Sequence, residues 1–196
     1  MRFITLMPAV LLAVAGCSGV SVVNNGDPRP DPGTNTSAAP ALPPTSIGHM
    51  ANAFDYVTHP NEDQSAYYFT TPSGKWQCAI LPSNMAGCQS AGGALGIAGA
   101  PDTVQDASGT ETAPNAIVID SDGDPRFAVL DQPGFTLVPG PAKVLPFNKT
   151  LIVARFRCNV QEATGVSCMS EQSGKGFTFS ADGFQPQYTE VPVDAP

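Results

Sequence analysis

The amino-acid sequence predicts a mainly β fold, a small antiparallel β domain stapled by disulfides. Three observations lead to this prediction. Glycine and proline together make up 39 of the 196 residues and charged residues only 13%, a composition typical of loop-rich β domains rather than helix bundles. Apolar and polar residues alternate with a period of two from Ser65 onward. Two pairs of cysteines each enclose nine residues.

The N-terminal segment, residues 1–16, has the pattern of a signal peptide. Arg2 precedes an uncharged and mostly apolar run over residues 3–15. As a helix this run would cover roughly 20 Å, which is too short for a hydrocarbon layer of about 30 Å. A charged start, a short apolar middle and small residues at the end are typical of a secretory signal.

The end of this leader, Val14-Ala15-Gly16-Cys17, resembles the lipobox of bacterial lipoproteins. The resemblance implies that the Cys17 sulfur carries a diacylglycerol, that the chain is cut before this residue, and that the new amine is often acylated as well. Two or three acyl chains would hold the protein at the membrane, since each buried methylene contributes about 0.8 kcal/mol. An ordinary signal peptide that happens to precede a cysteine is the alternative.

The chain after the leader divides into a tether and a domain. Residues 17–46 contain six prolines and no periodic apolar pattern, which predicts a disordered tether that spans about 30 Å as a coil. Residues 47–64 predict a short lead-in with one or two helical turns within 48–57. The β domain is expected over residues 65–190 and a tail over 191–196.

Nine strands are predicted within the domain from the alternation of apolar and polar residues. Their ranges are 66–70, 75–81, 85–90, 115–120, 126–130, 143–147, 151–161, 166–170 and 176–180. The Gly/Ala-rich stretch over 89–114 is predicted to be a loop, and its length is unusual for a compact domain. It is therefore either a mobile loop or a segment that is not a loop.

The cysteine segments form a weak internal repeat. Trp76-Gln77-Cys78-Ala79-Ile80 and Phe156-Arg157-Cys158-Asn159-Val160 both read aromatic, polar, Cys, variable, aliphatic, and each precedes a second cysteine, Cys88 or Cys168. Side chains two apart share a strand face. Nine intervening residues let the two cysteines lie opposite each other in a hairpin, within reach of a disulfide. Export favours the pairs Cys78–Cys88 and Cys158–Cys168, although four cysteines allow three pairings and the sequence excludes neither of the others.

The chain also resembles a family of uncharacterised actinobacterial secreted proteins and lipoproteins. The resemblance covers about residues 67–185 and combines a Ser-Gly-x-x-x-Cys strand with a terminal Cys-x6-Gly-x-x-Cys hairpin that runs into Gly-x-Gly-Phe-x-x-Ser. The matching residues are Ser73, Gly74, Cys78, Cys158, Gly165, Cys168, Gly174, Gly176, Phe177 and Ser180. The resemblance implies an exported domain with disulfides, and it implies no activity.

One acidic stretch partly imitates a calcium loop. Asp120, Asp122 and Asp124, with Asp131 at the twelfth place, supply carboxylates at alternating positions. However, Pro125 stands where a calcium loop has glycine. An acidic hairpin turn is the favoured interpretation, and weak calcium binding is the alternative. No other metal site and no cofactor is predicted apart from the acyl lipid at Cys17.

These features together predict an envelope protein. The net charge of −8 without a basic cluster argues against a nucleic-acid partner. We expect a lipoprotein on the outer face of the cell membrane, held by its lipid anchor, whose non-enzymatic domain binds an envelope protein or glycan or supports the envelope. A carrier of lipid or small solute and a cell-wall-active hydrolase are the alternatives.

Overall fold

Two antiparallel β-sheets packed against each other form the body of the structure. A computed structural model describes residue 42 and residues 44–61, 64–82 and 84–196. The predicted signal peptide, Cys17 and most of the predicted tether lie outside these described residues. Antiparallel strands dominate the described part, so the mainly β class is confirmed.

Sheet 1 contains six strands in the order β1-β2-β3-β4-β7-β8. Their bounds are β1 Val57–Asn61, β2 Gln64–Thr70, β3 Trp76–Leu81, β4 Met85–Ser90, β7 Ala116–Asp120 and β8 Arg126–Ala128. Between β4 and β7 a separate hairpin is formed by β5 Val104–Gln105 and β6 Glu111–Thr112.

Sheet 2 contains five strands in the order β13-β12-β11-β10-β9. Their bounds are β9 Lys149–Val153, β10 Phe156–Gln161, β11 Gly165–Ser170, β12 Gly176–Ser180 and β13 Gly183–Gln185. The sheet is a simple meander, because each strand pairs with the next one along the chain.

The predicted cysteine hairpins are confirmed, and they occupy equivalent places in the two sheets. Cys78 lies directly opposite Cys88 across β3 and β4, with 4.0 Å between their Cα atoms. Cys158 lies opposite Cys168 across β10 and β11, at 4.1 Å. Both pairs are disulfide-bonded. The two sheets therefore contain the same unit, a hairpin with a disulfide across its two strands.

The core lies between the two sheets and contains both disulfides. The Trp76 ring of sheet 1 meets the Phe179 ring of sheet 2 edge to face, with centroids 4.7 Å apart, a geometry favoured between aromatic rings. At the sheet edge the Phe127 ring of β8 lies 4.9 Å from the Phe184 ring of β13. Aromatic contacts thus join the two sheets both at the centre and at this edge.

The lead-in contains two short turns of 3-10 type and no α-helix among its described residues. Two 3-10 turns, Ile47–His49 and Ala53–Asp55, stand where one or two helical turns were expected, and β1 follows at once. The side chain of Asn52 accepts a hydrogen bond from the Phe54 amide and begins the second turn. Pro60 fits within β1 because an edge strand does not need every N–H for pairing. The packed structure therefore begins before residue 65, and at the other end Val191 is still buried.

The Gly/Ala-rich stretch over 89–114 is tied to the core instead of being a simple loop. Leu95 and Ile97 belong to the core cluster, and the Ala98 amide donates to the carbonyl of Ala181. The β5 and β6 strands add a short hairpin. These core residues and strands could not be predicted, because two apolar side chains among many glycines and alanines give no periodic pattern.

The predicted strand over 143–147 is wrong. An isolated bridge from Val144 to Thr70 forms there, with hydrogen bonds from the Thr70 amide to the Lys143 carbonyl and from the Leu145 amide to the Thr70 carbonyl. Pro141 precedes the segment and Pro146 lies within it, and neither supplies an N–H, which limits a ladder to a short stretch.

The predicted strand over 151–161 is also wrong as one element, because a two-residue turn divides it into β9 and β10. Val153 pairs with Phe156 across this turn. Ala154 and Arg155 have φ values of 52° and 65°, the left-handed conformation that tight hairpin turns require and that Asn-Gly satisfies most easily. Ala and Arg give no sequence signal for such a turn.

We expect the double substitution Ala154→Asn with Arg155→Gly to raise the free energy of unfolding by about 1 kcal/mol, because it relieves left-handed strain. Urea unfolding measures the change. The matched control is Ala181→Asn with Asp182→Gly in the turn between β12 and β13, where φ is not positive. If both double variants shifted stability equally, backbone strain would not be the cause.

Candidate functional surface

The four domain cysteines are structural. Their sulfur atoms lie in the intersheet core, and all four residues are fully buried. A thiol nucleophile or metal ligand has to be accessible and reduced, so these residues offer neither chemistry. Persistent disulfides indicate an extracytoplasmic, oxidising location for this domain.

The acidic turn after β7 holds the two sheets together at one end. Asp120 pairs with Arg126 at 2.5 Å, and Asp124 pairs with Lys175 at 2.8 Å. Asp122 accepts a hydrogen bond from the Gln172 amide. Each carboxylate therefore serves a different partner, as expected for an acidic hairpin turn.

The calcium alternative gains no support from the geometry. Asp120, Asp122, Asp124 and Asp131 are not gathered into one set of ligands. Among the described residues no group of three or more His, Cys, Asp or Glu side chains is arranged to hold a metal ion.

The histidines occupy different environments. The His49 ring is buried, with Nδ1 2.9 Å from the carbonyl oxygen of Asn148 and Nε2 3.3 Å from that of Val193. His59 lies on β1, with Nδ1 3.3 Å from the hydroxyl of Ser65. His49 therefore joins the lead-in to the segment before β9 and to the C-terminal segment, so it belongs to the packed domain.

A buried ion-pair network covers the outer face of sheet 2. Arg157 on β10 is 5% exposed. Its guanidinium donates to Glu171 at 2.6 and 3.0 Å, and its Nη1 reaches Glu190 at 3.3 Å and Thr45 at 2.9 Å. Burial lowers the pKa of Arg157, but the hydrogen bond and charge of Glu171, together with the charges of Tyr188 and Glu190, raise this pKa above its ordinary value. The outward orientation of Arg157 follows from the strand pattern, whereas its burial does not.

The cover over this network is the segment 186–193, which we call the C-terminal strap. The Thr189 carbonyl accepts from the side-chain amides of Asn159 at 2.9 Å and Gln161 at 3.2 Å. Asn159 also donates to the Tyr188 hydroxyl at 2.9 Å. Burial, followed by the charge of Glu190, raises the pKa of Tyr188 above its ordinary value. The strap therefore satisfies the polar side chains that sheet 2 points outward.

A polar cleft of about 470 Å³ lies beside the strap, between the turn after β10 and the β12–β13 hairpin. The Thr164 hydroxyl is buried there without a hydrogen-bond partner among the described residues. Asp182 is the acidic residue among those that line the cleft. The other lining residues with polar side chains are Thr178, Ser180, Gln185 and Thr189. The cleft could donate and accept hydrogen bonds with a neutral polar ligand.

An exposed apolar surface surrounds the point where the chain enters the domain. We call it the entry surface and define it by Ile47, Met50, Phe54, Phe147 and Val193, all of which are exposed. No sequence pattern marks this surface clearly, because its members come from three separated segments. Its signal in the sequence is an apolar side chain at each of positions 47, 50 and 54, in a region too short for a convincing helix.

Neither models of protein families nor curated protein sequences nor solved structures gave a match to this chain. Within the described residues, no helix is both long and apolar enough to cross a membrane.

Proposed function

We propose that this protein is a cell-envelope lipoprotein, anchored by acyl chains on Cys17, whose β domain acts outside the membrane as a non-enzymatic binding or structural module. The pair of buried disulfides is the observation that carries the proposal, because such bonds persist in an oxidising compartment. The segment Val14-Ala15-Gly16-Cys17 supplies the reason for an anchor in that compartment. The partners are then the membrane and an envelope protein or glycan.

The construction of the domain supports a binding or structural role over a carrier role. A carrier built from two packed sheets would hold its cargo between them. Here that space contains aromatic and aliphatic side chains and both disulfides. The surfaces open to a partner are the outer clefts, the turns and the entry surface.

The hydrolase alternative depends on a pair of carboxylates that flank the scissile bond, about 5 to 9.5 Å apart. The polar cleft beside the strap presents the single carboxylate of Asp182, and the carboxylates of Asp120 and Asp124 are engaged in ion pairs. These placements favour a binding role for the domain.

The substitution Cys17→Ser tests the anchor. We expect the native protein to enter the detergent phase, to incorporate labelled fatty acid and to show an acyl adduct in its intact mass. The Cys17→Ser variant should lose all three properties, because serine has no sulfur for the thioether and the other four cysteines are held in disulfides. Two acyl chains give stable anchoring where one gives only weak, reversible binding, so the change in membrane fraction should be nearly complete.

Ser18→Ala is the matched control, since it alters the neighbouring residue but keeps the sulfur. It should partition like the native protein. An unmodified sulfur on a protein that still carries residues 1–16 would refute the anchor, while the disulfide-stapled domain would stand unchanged.

A further inference from the structure

We propose that the entry surface docks onto the acyl boundary of the bilayer to which the chain is anchored, so that the domain lies against the membrane. This inference rests on the proposed lipid anchor and specifies which face of the domain meets the lipid.

Exposed apolar side chains are concentrated in one region of the domain. Ile47 and Phe54 are each 86% exposed and Val193 is 75% exposed. All but two of the exposed large hydrophobic residues in the described part of the chain lie in the lead-in, in the segment before β9 or in the C-terminal segment. The exceptions are Leu42, which precedes the lead-in, and Val138. Exposed apolar side chains that gather in one region of an acidic protein mark an interaction site.

Hydrogen bonds bring these three segments together. The His49 ring lies between the carbonyl oxygens of Asn148 and Val193, so Phe147 and Val193 flank the turn that carries Ile47 and Met50. The Ala51 amide donates to the Thr150 carbonyl at 2.8 Å, which continues the contact along β9. The backbone positions of these side chains are therefore fixed by the fold.

The point where the chain enters the domain indicates that the bilayer is what covers the entry surface. The segment from Cys17 to the start of the described domain is about 25 residues long, and a coil of that length has a root-mean-square span of roughly 30 Å. An anchor at Cys17 would thus hold the entry surface close to the bilayer. A short tether raises the effective concentration to the millimolar range, so weak interfacial affinity is sufficient.

The charges at the margin fit a lipid headgroup layer. Lys143 and Lys149 border the surface, and their ammonium groups reach Asp55 at 3.0 Å and the Gly48 carbonyl at 2.6 Å. The nearby carboxylates of Asp55 and Glu190 are paired with Lys143 and Arg157. Asp55 and Glu190 therefore bring no uncompensated carboxylate to the acyl boundary. Asp194, which follows Val193 and is exposed, would lie at the level of the headgroups with the two lysines.

The test uses the acylated full-length mature protein in phosphatidylcholine vesicles with brominated acyl chains, which quench tryptophan on contact. Phe54→Trp places a reporter in the entry surface. Val138→Trp is the matched control, because Val138 is also highly exposed, at 70%, but lies outside the surface. The native Trp76 is buried and gives a constant background. If the side chains of the entry surface lie 5–10 Å into the acyl boundary, the emission of the introduced tryptophan should fall roughly twofold for F54W. No loss is expected for V138W.

Val193→Trp provides a second reporter and should behave like F54W. Equal emission in brominated and ordinary vesicles for both reporters would overturn the docking, as would equal quenching of V138W. A blue shift of F54W that grows with protein concentration in the absence of lipid would assign the surface to a second copy of the chain and would likewise overturn it.

The same experiment separates this inference from the anchor. If intact mass shows no acyl group on Cys17, the proposed function fails. The docking is then tested with the unacylated chain at a raised vesicle concentration. Quenching of F54W would support the docking, and the absence of quenching would refute it. Acylation without quenching would leave the anchor intact and refute the docked orientation.

Discussion

Removal of the Cys158–Cys168 disulfide by double alanine substitution is expected to lower the free energy of unfolding by about 3 kcal/mol. The two cysteines are ten positions apart, and in the chain-entropy model opening such a loop gives the unfolded chain that much additional freedom. The melting temperature of a domain of this size should fall by roughly 6–12 °C. The Cys78–Cys88 bond closes a loop of equal length, so the model predicts an equal loss.

Urea unfolding of the native protein and the two double variants measures both losses. If removal of one disulfide lowered the free energy of unfolding more than removal of the other, the difference would come from packing around that pair, because the two loops are equal in length. Trypsin provides the check on pairing, because each disulfide should remain within one peptide, 76–126 or 158–175. A peptide that joins the two halves of the chain, or a loss well under 1 kcal/mol in both variants, would contradict this account of the hairpins.

The disulfide hairpins could be predicted because local patterns determine them. Alternation places Trp76, Cys78 and Ile80 on one face of a strand, and the spacing to Cys88 sets the register of the hairpin. Repetition of both features around Cys158 made the prediction stronger. Local periodicity and a covalent constraint agree here, which is the situation in which sequence specifies structure best.

The division of one predicted strand into β9 and β10 could not be predicted, because the information is in the backbone. Alternation continues through Ala154 and Arg155, so the period-two pattern does not register the turn. Neither residue is a typical left-handed turn former. Pairing of β9 with β10 and packing of Leu151 in the core enforce the conformation at some cost in strain.

The candidate surfaces were hidden for a related reason, since distant segments create them. The entry surface combines residues near 50, 147 and 193. Arg157 was correctly expected to point away from the core, and a residue of that kind usually remains solvated. Its burial depends on Glu190 and the C-terminal strap, which arrive more than thirty residues later. Sequence patterns describe the face of a strand but not what covers it.

The burial of Arg157 gives the second large expected effect. Arg157→Met should lower the free energy of unfolding by about 3 kcal/mol, because it leaves the largely buried carboxylates of Glu171 and Glu190 without their cation. Arg157→Lys keeps the charge but cannot reproduce the forked contacts to Glu171. Its free energy of unfolding should therefore lie between those of the native protein and the Arg157→Met variant. Thermal and urea unfolding measure the series. Amide hydrogen exchange should also quicken in the C-terminal strap, since Glu190 is one of its residues.

Arg126→Met is the matched control, because it makes the same substitution in an ion pair that is half exposed. Such surface pairs contribute about 0–1 kcal/mol, and Arg126 has no contact with the strap that would alter its exchange. Equal destabilisation by Arg126→Met and Arg157→Met would show that burial adds nothing to the pair. Slow exchange in the strap of the Arg157→Met variant would show that the hydrogen bonds from Asn159 and Gln161 hold this segment without the ion pairs.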